Sequence, residues 1–148
     1  MDTDLLAELI RSKHDCLLRL SALGAKQLEL IRAGHLTALL DVLAAKQRAL
    51  VQLQQAERAV DPFRRQDPEA RRWRTPEERQ ACAEELRACE MLLVEIVDQE
   101  KQSERELVQR RDEAAVRLRG AHQAAHARGA YAGSLPHGSA QLDLTSET

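Results

Sequence analysis

The stretch that most limits the fold begins at Thr75. Thr75 suits a helix cap, Pro76 suits the first helical position, and Glu78 completes a Thr-x-x-Glu capping box. No proline or glycine follows until Gly120. Glycine inside a helix costs about 1 kcal/mol, so the end lies there or near Gly129. The spacing predicts one helix over residues 76–127, roughly 78 Å long at 1.5 Å per residue. A rod of that length needs a support, and it is too long for the one available.

That support is the Leu28–Leu53 stretch and its flanks, LELIRAGHLTALLDVLAAKQRALVQL at its centre. Helix 1 is expected from about Asp4 to Arg32, roughly 45 Å. Its stripe is Leu6, Leu9, Ile10, Cys16, Leu17, Leu20, Leu23, Leu28 and Ile31. Helix 2 is expected from about Leu36 to Val60, with Leu36, Leu39, Leu43, Leu50 and Leu53 on its stripe and Lys46 or Gln47 filling the missing turn. Gly34 marks the break, because glycine enters the left-handed conformation that ends many helices without a Cβ penalty. So short a joint favours two antiparallel helices. The fold class is therefore all-α: a helical hairpin plus one long third helix, a three-helix bundle of coiled-coil character over residues 1–128.

Between the hairpin and helix 3, residues 61–75 read as a connector. Asp61-Pro62 and Asp67-Pro68 are each an N-cap followed by proline, and one short helical turn is expected around Pro68–Trp73. Five arginines crowd this segment: Arg64, Arg65, Arg71, Arg72 and Arg74. Without a glycine-rich cradle, and with Trp73 alone able to stack on a base, solvated or carboxylate-paired arginines are favoured over nucleic-acid binding.

Composition agrees with this architecture. Aromatics are 2% of the 148 residues and charged residues 31%, with Leu and Ala dominating the apolar set. A net charge of −2 creates no global field toward nucleic acid or membrane. The start, MDTDLLAELI, lacks a basic n-region and a long apolar core, so the cytoplasm is the expected location. Cys16, Cys82 and Cys89 form no CxxC pair and fall at apolar helix positions. No catalytic pattern emerges. His122 and His126 stand i,i+4, but Gln123 replaces the glutamate of the zinc-protease pattern and no third ligand is near. His14, Asp15 and Cys16 are consecutive on a helix and point in different directions. The reading is a non-enzyme without cofactor or metal.

Helix 3 changes texture along its length. Leu86, Cys89, Leu92, Leu93, Ile96 and Val97 form a dense apolar seam, and Asp98–Glu106 (DQEKQSERE) has no apolar residue, so packing on the hairpin is expected to stop there. Apolar residues resume at Leu107, Val108, Ala114, Ala115, Val116, Leu118 and Ala121, now among Arg110, Arg111, Arg117, Arg119 and Arg128. One reading is a dipole-matched surface helix, acidic at its start and basic at its end. The other is an amphipathic segment without an internal partner, free to lend its face to another helix. Residues 129–148 read as a flexible tail with isolated apolar points at Tyr131, Leu135, Leu142 and Leu144.

Leu28, Glu29 and Ile31, then Gly34, then Leu36, Leu39, Leu40, Leu43, Lys46 and Leu50 resemble the pattern of the FlgN-type flagellar export chaperones. The likeness covers about residues 5–60, and helix 3 in general character. His35 stands where that family usually has Asp or Asn, which removes a preferred N-cap. The resemblance implies a cytoplasmic chaperone of the flagellar type III export system. Such chaperones bind the C-terminal helices of hook–filament junction (hook-associated) proteins, keep them unassembled and deliver them to the export gate. Client recognition by the C-terminal part would fall on Leu107, Val108, Ala114, Leu118 and Ala121, with Tyr131 a contact for the export apparatus. A chaperone is expected to be a monomer or weak dimer, with no nucleic acid bound and no stable membrane insertion. The alternative is a structural, self-associating coiled coil or spacer without a client.

Overall fold

A computed structural model describes residues 2–134. Among these residues there are three α-helices, one short 3-10 turn and no strand: α1 (Asp2–Ala33), α2 (Leu36–Arg64), the turn Pro68–Ala70, and α3 (Pro76–Ser134). The fold is all-α. It divides into a packed unit, Met1–Leu107, and a second unit, Val108–Thr148. The part of the expected tail that holds Leu135, Leu142 and Leu144 lies outside the described residues.

In the packed unit each helix faces the others through positions three and four apart in alternation. On α1 these are Thr3, Leu6, Ile10, Lys13, Leu17, Leu20, Gly24, Gln27 and Ile31, all buried. On α2 they are Leu39, Val42, Lys46, Ala49, Leu53, Ala56, Val60 and Phe63, and on α3 Cys82, Glu85, Cys89, Leu92, Ile96, Gln99, Ser103 and Glu106, each buried or half-buried. A mean period of 3.5 is the heptad repeat that keeps one seam of a helix against its neighbours in a coiled coil.

Cross-helix bonds fix the directions. Lys13 pairs with Glu57 at 2.7 Å, Arg19 Nη1 donates to Gln52 Oε1 at 2.6 Å, and Lys46 Nζ donates to Gln27 Oε1 at 2.6 Å, so α2 runs antiparallel to α1. Cys89 Sγ lies 4.0 Å from the Ile10 carbonyl oxygen, Gln99 Nε2 donates to the Ser21 carbonyl at 3.2 Å, and Arg32 Nε donates to Glu106 at 2.9 Å. Those partners rise together, so α3 runs parallel to α1.

The interior is layered. Leu6, Ile10, Val60 and Phe63 pack with Leu9, Trp73 and Cys82 at the connector end. Leu17, Leu20, Ala49 and Cys89 pack with Leu23, Leu53, Leu92 and Ile96 in the middle. Leu30, Ile31 and Leu39 pack with Ala38 and Val42 at the Gly34 end. Polar side chains interrupt this packing: Gln27, Lys46 and Ser103 are buried and Gln99 is half-buried, while the exposed Glu100 pairs with Lys46.

The Gly34 joint forms as the sequence implies. Gly34 has φ of 73°, its N–H donates to the Ile31 carbonyl, and the His35 N–H reaches the Leu30 carbonyl, a Schellman-type closure. His35 makes no side-chain cap bond at the start of α2. At α3 the Glu78 N–H donates to Thr75 Oγ1 at 3.1 Å, as the capping box requires. Asp67 Oδ1 likewise accepts from the Glu69 N–H at 3.0 Å and caps the 3-10 turn.

Four expectations need correction. Leu36, Leu43 and Leu50 do not face the core; they are 70%, 40% and 40% exposed. Leucines occur on both flanks of α2, and the inward face is the one whose small Ala49 and Ala56 let the helices approach, with Lys46 filling the missing turn. Second, α2 continues past Val60 through Pro62 to Arg64. Proline in a helix costs about 3 kcal/mol, and burying Phe63 one residue later offsets it with about 1.5–3 kcal/mol. Third, α3 does not leave the hairpin at Val97. It stays packed to Glu106 through polar groups, and Ser103 is 1% exposed. Fourth, α3 runs through Gly120 and Gly129 to Ser134 rather than ending near residue 127, so the tail does not begin at residue 129. Alanines surround both glycines and have the highest helix propensity, which makes up for their cost.

Candidate functional site

The seam spacing of α3 carried past Glu106 lands on Arg110, Glu113, Arg117 and Gly120, so the packing register loses its apolar character there. Every residue from Leu107 to Gly133 is exposed. Leu107 and Val108 are each 40% exposed, Leu118 is 73% and Tyr131 is 70%. Ala114 and Ala121 are exposed as well. The five residues singled out from the sequence are thus displayed, though not all on one face. At about 100° per residue, Leu107, Ala114, Leu118 and Ala121 fall within a stripe about 60° wide, and Ala125 continues it. Val108 sits one residue round, Val116 is opposite, and Tyr131 lies off the stripe.

Cations border the stripe. By the same spacing Arg110, Arg117 and Arg128 flank one edge, and Arg111 and His122 the other, while Asp112 and Glu113 fall toward the back. Arg111 pairs with Asp112 at 3.3 Å. The face is narrow, alanine-rich and edged with positive charge. Chemically it suits the apolar side of a helix whose flanks are acidic.

Other apolar side chains are displayed in the packed unit. On α2, Leu36, Leu40, Leu43, Leu50 and Val51 are exposed, and on the packed part of α3 so are Met91, Val94 and Val97. Leu36, Leu43 and Leu50, expected on the α2 stripe, and Val97, expected in the α3 seam, are thus displayed rather than packed.

The buried polar groups hold the packed unit in register. Lys46 is 7% exposed, and its ammonium contacts Gln27 and Glu100. Burial pushes the Lys46 pKa below its ordinary value. Burial alone would raise the Glu57 carboxyl, but hydrogen bonds and charge from Lys13 and Arg64 outweigh it and hold the pKa below the ordinary value. Burial likewise raises the Cys82 and Cys89 thiols. Asp15 is exposed while Cys16 is buried, so His14, Asp15 and Cys16 are not assembled into one group; His14 Nδ1 instead faces Glu85 at 3.6 Å.

At the end of α2, Arg64 pairs with Glu57 and Asp61, and in the connector Arg74 pairs with Asp4. Thr3 Oγ1 donates to the Arg72 carbonyl at 3.1 Å and ties the segment to α1. Among the described residues no group of three or more His, Cys, Asp or Glu is placed to hold a metal ion, and no helix is long and apolar enough to cross a membrane.

Comparison with protein-family models, with curated proteins and with solved structures finds no match to this chain.

Proposed function

We propose that the protein is a flagellar type III export chaperone of the FlgN type, which holds the C-terminal helices of hook–filament junction proteins before their delivery to the export gate. The observation that carries this reading is the exposed α3 face of Leu107, Ala114, Leu118 and Ala121, bordered by arginines. An amphipathic helix with no internal cover binds partners by laying its apolar side against theirs. The basic edges select a client helix with acidic flanks. The sequence likeness over about residues 5–60 supplies the cellular setting, including the cytoplasm and Tyr131 as a contact for the export apparatus.

The test uses the full-length chain with Leu107→Glu and Leu118→Glu together. Calorimetry against the C-terminal helical segment of a hook–filament junction protein is expected to show 1:1 binding by the parent chain and at least about tenfold weaker binding by the variant. Undiminished binding refutes the assignment of the face.

The exposed leucines of α2 favour a second reading, a self-associating spacer. Sedimentation equilibrium separates the two: a spacer is a stable oligomer without client, a chaperone a monomer or weak dimer with one.

A further inference from the structure

We propose that the connector end of the packed unit is a separate binding site for an acidic protein segment that places one large apolar side chain beside a carboxylate. Two cavities, of about 530 and 220 Å³, share Leu6, Phe63 and Arg71 as lining residues. The smaller has apolar walls that include Ile10, Val60, Phe63, Trp73 and Leu86. Its charged lining residues are Lys13, Arg64, Arg71 and Arg79, all cations.

These cations are not equally committed. Lys13 and Arg64 share Glu57, and Arg64 also holds Asp61. Arg79 reaches Glu69 only at 3.6 Å, with both side chains more than half exposed. Arg71 has no carboxylate. Its Nη2 donates to the Phe63 carbonyl at 2.5 Å, and its Nε is buried without an acceptor. A buried donor left unsatisfied is unfavourable, and a charged donor most of all. An incoming carboxylate pairs the Arg71 guanidinium through the part that lines the cavity, and Arg79, which lines the same cavity, shares it.

Size decides what carries the carboxylate. Cavities for whole small ligands run about 300–1,000 Å³. The apolar cavity, at about 220 Å³, is smaller than that and fits one anchoring side chain, as interface anchors do, while the adjoining space of about 530 Å³, lined by Asp67, Arg71 and Arg72 among others, leaves room for the backbone that carries it. The site shares no residue with the α3 face, so it stands whether or not that face binds a client.

Trp73 is the sole tryptophan and lines this cavity, so its fluorescence reports occupancy. The probe is the peptide N-acetyl-Gly-Ser-Leu-Asp-Leu-Gly-Ser-amide, titrated into the full-length chain. The expected result is saturable binding below about 1 mM, weakened about tenfold or more when the peptide's Asp becomes Asn or its leucines become alanine. Arg71→Gln weakens binding by roughly 10- to 100-fold, and Leu118→Glu leaves it unchanged. Arg71 also closes the end of α2 through Phe63, so Arg79→Gln, which disturbs only a surface pair, is the second variant, with a several-fold loss expected. The Asp/Asn peptide pair on the unmodified protein needs no variant at all. No saturable signal, equal binding of the Asn peptide, or full affinity in folded Arg71→Gln overturns the proposal. So does dodecanoate binding more tightly than the peptide, which would make the occupant a fatty acid.

Discussion

Gly24 and Gln99 offer a quantitative test of how closely α1 and α3 approach. A Cβ built on Gly24 would collide with Gln99 Oε1 and lie 3.1 Å from its Cδ. Gly24→Ala removes a mid-helix glycine, which by propensity alone stabilises by about 1 kcal/mol. To admit the methyl, Gln99 has to swing away and give up its bond to the Ser21 carbonyl, a loss of about 0.5–1.5 kcal/mol. The two effects nearly cancel, so Gly24→Ala alone is expected to change stability little. In a Gln99→Ala background the obstruction is gone and the full gain of about 1 kcal/mol emerges. The coupling between the sites is thus about 1 kcal/mol, read by urea denaturation followed by circular dichroism on all four chains. If Gly24→Ala stabilises equally in both backgrounds, within about 0.3 kcal/mol, the helices do not meet there as described.

Leu17 is fully buried, and Leu17→Ala is expected to cost about 2–5 kcal/mol in the same assay. By contrast Leu118→Glu, at a site 73% exposed, should shift stability by no more than about 0.5 kcal/mol. Glu57 has a folded-state pKa below its ordinary 4.5, so its pairing stabilises the fold above that pH and the contribution is lost as pH falls through the folded value. Melting temperature should therefore drop on acidification below pH 4.5, and less steeply in Glu57→Gln. Cys89 is fully buried with a raised pKa, so a thiol reagent near neutral pH should modify it at the rate of unfolding, accelerated by urea; rapid labelling in the native protein contradicts the packing.

Local signals in the sequence translated well into structure. Gly34, the Thr75 cap and the Asp67-Pro68 turn each rest on chemistry confined to a few neighbouring residues, and each forms as read. What escaped was decided by contacts between helices. Both flanks of α2 carry leucine, so periodicity could not say which one turns inward; Ala49, Ala56 and Lys46 decide it through the room they leave. DQEKQSERE read as a place where packing ends, because an apolar count gives no credit to Gln99 and Glu106 meeting polar partners across a seam, or to a serine small enough to be buried at position 103. Asp61-Pro62 resembled a helix start, and only the burial of Phe63 explains why α2 runs through it. The displayed stripe on α3 was legible because exposure there needs no partner to predict. The connector cavity was not, since it joins Leu6, Phe63, Trp73 and Leu86 from distant parts of the chain.

The unbroken backbone ladder of α3 from Pro76 to Ser134 has a thermodynamic corollary. Starting a helix in water is the costly step, and adding a turn to an existing one is cheap. Residues beyond Leu107 extend a helix already begun, so their helicity needs no nucleus of its own. Amide hydrogen exchange along α3 should quicken gradually toward Ser134, as a zipper frays from its open end, instead of dividing into one slow block and one fast block.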